Sequence, residues 1–272
     1  MALGLVVIIQ EELIMKKWLL LFLVVLAGCA AQSQPEFKAD LPQQGLIYEA
    51  KKKIAAGIVS KIDINGIFKQ KQDELLSRID PKDLPKARSI LNQVFSRFET
   101  TLIESLARRN SREALVYAQS RYSSPLGSGI LKKSFAMAND QRDLINPKAL
   151  PDGILEKYPA QNVQMAKSYV AKLSYDNYLK QMFSALLDKM PKQARASLQS
   201  DKRQIFKRID ENIEQYELAY LKKMLDNYTL QELAALNEFI SAPEGKSYTL
   251  NSMLAIVDAG AVMMNEMLKD AQ

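Results

Sequence analysis

The chain has 272 residues, 47% hydrophobic and 25% charged, with a formal net charge of +6; these figures suit a globular protein of one large or two small domains. It contains no histidine, which removes histidine-based metal sites, Ser-His-Asp triads and the usual general base near neutral pH, leaving carboxylate or lysine chemistry. A single cysteine, Cys29, excludes an intrachain disulfide and makes zinc improbable, so the fold must stand on packing alone and no cofactor is expected.

Near the start, Lys16 and Lys17 precede an apolar run from Trp18 to Leu26, and the small residues Ala27 and Gly28 lead to Cys29. A cationic start, an apolar stretch of roughly 7–15 residues and small residues at the cut are the parts of a secretory signal. Leu26-Ala27-Gly28-Cys29 resembles the lipobox of bacterial lipoprotein precursors. That resemblance implies cleavage before Cys29, a diacylglycerol on its thiol and a further acyl chain such as palmitate on the new amine. Two or three chains matter, because one myristoyl binds only marginally and each buried methylene adds about 0.8 kcal/mol. The competing reading is an uncleaved transmembrane anchor, but a span needs about 20 apolar residues and Trp18 to Ala27 is far shorter. Gln10, Glu11, Glu12, Lys16 and Lys17 also break any continuous helix with the apolar residues 1–9. Residues 1–28 are therefore expected to be a signal peptide, with Met15 as the physiological start. Ala30, not aspartate, follows the cysteine, which in enterobacterial-type lipoproteins implies sorting to the outer membrane. The expected location is the outer membrane, lipid-anchored, on the periplasmic side.

The removed segment carries Glu11, Glu12, Lys16 and Lys17, so the charge of residues 29–272 stays at +6. A modest basic excess suits a protein beside anionic lipid or cell-wall polymers, and nucleic acid is not an expected partner of an exported, anchored chain. Lys51-Lys52-Lys53, Lys202-Arg203 and Lys207-Arg208 read as solvated helix faces.

Residues 29–45, with Pro35 and Pro42, are expected to form an extended, lipidated tether. From Leu46 the pattern is helical: Ala50, Ile54, Ile58 and Ile62 recur every fourth residue. A second segment runs from Ile67-Phe68 to Ile79 and ends at Asp80-Pro81. Asp83 is expected to cap a helix whose apolar stripe is Leu84, Ala87, Leu91, Val94, Phe95, Phe98, Leu102 and Leu106. Pro147, Pro151, Gly153 and Pro159 mark a linker over 147–159. Helices resume near Val163, stop near Met190-Pro191 and run again from Lys192 to Asn227. No run alternates as a strand would. The expected fold is all-α, a helical bundle of two related helical-hairpin units, 46–146 and 160–272.

The two units align without gaps at a separation of 118. Leu91 meets Ile209, Phe95 Ile213, Phe98 Tyr216, Glu99 Glu217, Ile103 Leu221, Leu106 Met224, Ser111 Thr229 and Leu115 Leu233. Ser123-x-Pro125-x-Gly127 meets Ser241-x-Pro243-x-Gly245. Each copy reads as a long helix, a Ser111- or Thr229-capped short helix, and a turn in which proline stops the helix and glycine supplies backbone freedom. Thr229 and Glu232 complete a capping box, whereas the first copy has Ala114. Tyr228 to Leu233 with Phe239 to Gly245 resembles the bacterial family called domain of unknown function 2059. The shared marks are Thr229, Glu232, the aromatic Phe239, and Ser241, Pro243 and Gly245 before a Met-rich last helix. The resemblance covers roughly the last 100 residues well and the first half weakly, where Arg121 replaces Phe239. It implies an all-helical exported protein and carries no activity or catalytic residue.

Few groupings suggest chemistry. Glu104-Ser105 is similar to the catalytic pair of lytic transglycosylases, but the Gly-Leu-Met-Gln segment that follows there is missing and Lys222 aligns with Glu104. Asp210, Glu211, Glu214 and Glu217 share a helix, yet Lys207 and Arg208 lie beside them, which favours a salt-laced surface. Gly127-Ser128-Gly129 lacks the strand and lysine of a phosphate loop. Met253, Met263, Met264 and Met267 mark either a core helix or an adaptable groove. Tyr169, Tyr175, Tyr178, Tyr216 and Tyr220 would suit either core packing or a groove. The leading expectation is a non-enzymatic envelope lipoprotein that binds or assists an envelope protein or the cell wall. The rivals are a peptidoglycan hydrolase working through carboxylates such as Glu104, and a tether or chaperone-like helper.

Overall fold

Apolar residues three and four apart produce helices and nothing else: no strand occurs among the described residues. The computed structural model describes residues 41–77, 79–139, 150, 151, 153–189 and 202–269. The lipobox, Cys29, residues 29–40 of the expected tether and part of the expected linker lie outside them. Ten helices occur in the described residues: α1 Leu41–Val59, α2 Ile64–Leu76, α3 Leu84–Arg109, α4 Arg112–Tyr122, α5 Pro125–Asn139, α6 Ala160–Leu173, α7 Tyr175–Lys189, α8 Lys202–Asn227, α9 Leu230–Ser241 and α10 Pro243–Lys269.

Two local expectations are corrected, and a helix break is located. Residues 41–45 of the expected tether are helical, as part of α1. Asp83 precedes α3 but makes no side-chain cap bond, because its backbone is already helical (φ −97°, ψ −9°) and a cap needs an extended residue. The segment after Pro159 is two helices, broken at Ser174, which adopts the left-handed conformation with φ 55°.

The repeat offset is visible in the helix boundaries. Shifted by 118, α3 ends with α8, α4 starts with α9, and α5 starts with α10. The shift also lays α1 over α6, so the repeat is longer than the aligned motifs. Matching packing follows: α1 rests on α3 and α4 as α6 rests on α8 and α9, and α2 meets α3 as α7 meets α8. The last helix of each copy crosses to the other copy. Helix α10 packs on α3 and α4, and α5 on α8 and α9. One continuous core therefore runs through both units, from Ile58, Phe98 and Leu115 to Leu179, Leu233 and Met253.

The Ser-x-Pro-x-Gly motif also works differently from its sequence reading. Proline opens α5 and α10 instead of ending the preceding helix, and neither glycine has positive φ. Ser123 and Ser241 each donate to a carbonyl four residues back, Gln119 O and Asn237 O, both at 2.6 Å. Each glycine permits a close backbone crossing: a Cβ on Gly127 would stand 2.0 Å from Arg121 O, and one on Gly245 1.9 Å from Phe239 O. The constraint is space. Gly129, two residues further along α5, has nothing within 4 Å of a built Cβ.

Gly127→Ala and Gly245→Ala are expected to lower stability by about 1–3 kcal/mol each through overpacking. Gly129→Ala should raise it slightly, toward the roughly 1 kcal/mol alanine advantage in a helix. Urea midpoints of the three variants check this ordering.

Candidate functional site

The exchange of last helices leaves a crevice between the units. Its floor comes from α3 and α8 and its walls from α5 and α10, and these elements are repeat equivalents. Leu102 and Leu106 on α3 match Tyr220 and Met224 on α8; Leu131 and Ser134 on α5 match Thr249 and Ser252 on α10. The void is thus lined by equivalent positions of both units. It measures about 110 Å³, and Tyr122, Tyr169, Tyr178, Tyr228, Phe239 and Tyr248 complete much of its lining. The floor is buried, whereas Ser134, Thr249, Ser252 and Ile256 are half-buried, so the void opens toward solvent between α5 and α10.

No charged side chain lines the crevice. Its polar groups are hydroxyls. Ser134 Oγ and the Tyr228 hydroxyl lie 2.8 Å apart in a hydrogen bond. Thr249 Oγ1 donates to Gly245 O at 2.9 Å, and Ser252 Oγ to Thr249 O at 3.1 Å. Burial pushes the Tyr228 phenol's pKa up, against the opposing effect of the Ser134 bond, so it stays a neutral donor and acceptor. One end is an aromatic cluster joining the copies: Phe239 lies 5.4 Å from Tyr117, 5.3 Å from Tyr122 and 6.1 Å from Tyr248 between ring centroids. Arg121, the counterpart of Phe239, instead covers the Tyr117 ring and pairs with Glu238 at 2.7 Å.

Two charged clamps hold the walls. Asp258 on α10 accepts Arg109 Nε at 2.7 Å, Arg109 Nη2 at 3.0 Å, Lys189 Nζ at 2.6 Å and the Ser105 hydroxyl. Burial alone would raise its pKa; the bonds from Arg109, Lys189 and Ser105 outweigh it and hold the carboxyl below its ordinary 3.8. On the other wall, Lys133 of α5 donates to both oxygens of Glu232, at 2.7 and 2.8 Å. Glu232 also closes the capping box: its carboxylate accepts Thr229 N at 2.8 Å, while its own amide donates to Thr229 Oγ1 at 3.3 Å. Desolvation opposes ionisation of Glu232, but Lys133 and the Thr229 amide prevail and its pKa is lowered. In the first copy Ser111 Oγ accepts Ala114 N at 3.1 Å, without the reciprocal arm.

The residues singled out for chemistry fall elsewhere. Glu104 is part-exposed and accepts Lys52 Nζ at 3.2 Å, which raises the lysine's pKa; Ser105 points to Asp258, so the pair is split between two partners. Asp210 pairs with Lys180, and Glu211 with Lys207 at 3.6 Å. Burial, then Asp176 and Glu214, raise the pKa of Glu217. No group of three or more potential metal ligands occurs among the described residues. Met253 and Met263 are core; the side chains of Met264 and Met267 lie outside the description. Of the five tyrosines, Tyr169, Tyr178 and Tyr220 line the crevice. Tyr175 is buried against the Tyr178 and Tyr220 rings, and its hydroxyl finds no hydrogen-bond partner among the described residues. Ser134, Tyr228, Tyr248, Thr249 and Ser252 escaped sequence reasoning. Asp258 did too, although a lone acid inside Ala255-Ile256-Val257-Asp258-Ala259 was a usable signal.

No family model, curated protein or solved structure matches the chain.

Asp258→Asn should cost about 2 kcal/mol at pH 7, below the 3–5 of a fully buried pair because Arg109 and Lys189 keep solvent access. With its folded pKa below the unfolded value, the Asp258 contribution is full above about pH 5 and fades as pH falls through the unfolded and then the folded pKa. The asparagine variant should therefore lose less stability than wild type between pH 5 and pH 3 in urea titrations. Tyr175→Phe should be neutral or stabilising by about 1 kcal/mol, since it deletes an unsatisfied buried hydroxyl; calorimetric melting checks it.

Proposed function

We propose that this chain is a bacterial envelope lipoprotein, held at the periplasmic face of the outer membrane by acylated Cys29 and acting without catalysis as a binding or accessory protein. The observation that carries the reading is Leu26-Ala27-Gly28-Cys29 at the end of an apolar run behind Lys16-Lys17. Residues 228–245 are further proposed to be related to the domain of unknown function 2059 family, on the motif Thr229, Glu232, Phe239, Ser241, Pro243 and Gly245.

Two features of the body support a setting beside a bilayer. Ala30 to Asp40, at roughly 3.3–3.6 Å per residue, reach at most about 40 Å, so α1 begins close to the anchor. The first turns of α1 expose Leu46 and Ile47, 75% and 54% accessible, with exposed Lys53 two turns along the Leu46 face. Apolar and cationic groups together suit an anionic lipid surface. No helix among the described residues is long and apolar enough to cross a membrane. A non-catalytic role is favoured by the engagement of three candidate acids: Glu104 is bound by Lys52, Asp210 by Lys180 and Glu211 by Lys207. A glycan-cleaving acid needs both a raised pKa and a substrate cleft; Glu217 has the first but does not line the crevice between α5 and α10.

Cells fed a clickable palmitate analogue should label the wild-type chain and retain it in the outer-membrane fraction. Cys29→Ser should lose the label and leave that fraction. Unchanged membrane retention of the serine variant would overturn the anchor, and muropeptide release dependent on Glu104 would overturn the non-catalytic role.

A further inference from the structure

We propose that the crevice between α5 and α10 is a binding site for a compact, neutral, apolar molecule about the size of one six-membered ring and bearing one oxygen. The inference rests on the binding role proposed above and supplies its ligand class.

Size comes first. Protein cores pack with few voids larger than a water molecule, yet this one holds about 110 Å³. An apolar cavity of about 150 Å³ binds benzene, whereas a single water occupies about 30 Å³ of liquid. A void between these limits takes one small ring once its half-buried rim gives slightly. Charge comes second. With no ionised side chain in the lining, a charged ligand would lose its hydration without compensation, so the occupant is neutral. Shape and surface come third: tyrosine and phenylalanine rings, leucines and Met224 offer apolar contact on every side.

The ligand oxygen is placed by the Ser134–Tyr228 pair, one of several hydroxyl positions in the lining. Ser134 and Tyr228 together carry two hydroxyl protons, and their mutual bond uses one. The second is left to donate, and both oxygens retain lone pairs. That pair sits on the α5 side of the crevice, and Tyr228 is buried while Ser134 is half-buried. A ligand hydroxyl placed there meets a donor and an acceptor, while its ring lies over Leu106 and Met224, the equivalent floor positions. The site is composite, because each copy of the repeat supplies one wall and half of the floor.

The test is a fluorine NMR titration of 4-fluorophenol into the full chain from residue 29, carrying Cys29→Ser so that no detergent competes for the crevice. The expected result is saturable one-to-one binding, about tenfold tighter than fluorobenzene, a difference one hydrogen bond supplies. Tyr228→Phe should erase most of that tenfold preference. Leu106→Phe, which fills the floor, and Ser252→Leu, which fills the opposite wall, should abolish binding while the melting temperature holds or rises. Absence of saturable binding to folded protein, equal affinity for fluorobenzene, or undiminished binding in a folded filled variant would each overturn the inference. Failure of lipid labelling at Cys29 would leave this titration unaffected, so the two readings fail separately.

Discussion

Asp258 stands on the last helix of the second copy, in a stretch otherwise made of alanine and branched aliphatic residues, and faces two cations and a hydroxyl. A lone carboxylate could not remain ionised there, because burial opposes charge. Arg109 reaches it in a two-pronged geometry from α3, and Lys189 reaches it from α7. The carboxylate thereby specifies the register of α10 against both copies of the repeat at once. Hydrophobic packing supplies most of the attraction between α10 and α3, but greasy stripes tolerate sliding by a turn. A paired charge does not, since any other register strands it.

The repeat offset orders the architecture, and differences between the units fasten it. Asp258 corresponds to Asp140, which lies outside the described residues, and the counterparts of Arg109 and Ser105 are Asn227 and Lys223, so the two-pronged Arg109 contact is not repeated. The Lys133–Glu232 clamp is one-sided, since their counterparts are Asn251 and Ala114. Each clamp joins a helix of one copy to a helix of the other. The aromatic joint follows the same logic, with Phe239 inside the cluster and its counterpart Arg121 on the rim. The two units are complementary partners within one chain, and neither holds a complete core.

The crevice is a by-product of that exchange. Helix α10 lies along α3 and α4, and α5 along α8 and α9, so the last helix of each unit covers the floor of the other and the crevice lies between them. Hydroxyls at Ser134, Thr249 and Ser252 keep the half-buried rim compatible with water, and rings line the interior. A wholly aliphatic lining would have favoured collapse of the gap.

Much of this molecule was legible in one dimension. Apolar spacing along a helix is a local property, so the helices, the repeat offset of 118 and the capping box at Thr229 and Glu232 follow from residue order. The Ser-x-Pro-x-Gly motif was legible as a boundary but misread as a flexible turn, because the carbonyl that excludes a Cβ at Gly245 belongs to Phe239 in the preceding helix. The break at Ser174 was hidden, since serine carries no strong signal for the left-handed conformation. Three of the five flagged tyrosines line the crevice, while Ser134 and Ser252 looked like ordinary helix-surface residues. Residue order alone thus determined helices, caps and duplication, which depend on neighbours a few positions apart. Which unit each last helix would join, and so where a void and two charged clamps would form, was decided by contacts between residues far apart in sequence, 99 positions for Lys133 and Glu232 and 153 for Ser105 and Asp258. Only the assembled core brings those together, because burial is a property of the whole packing and not of any segment.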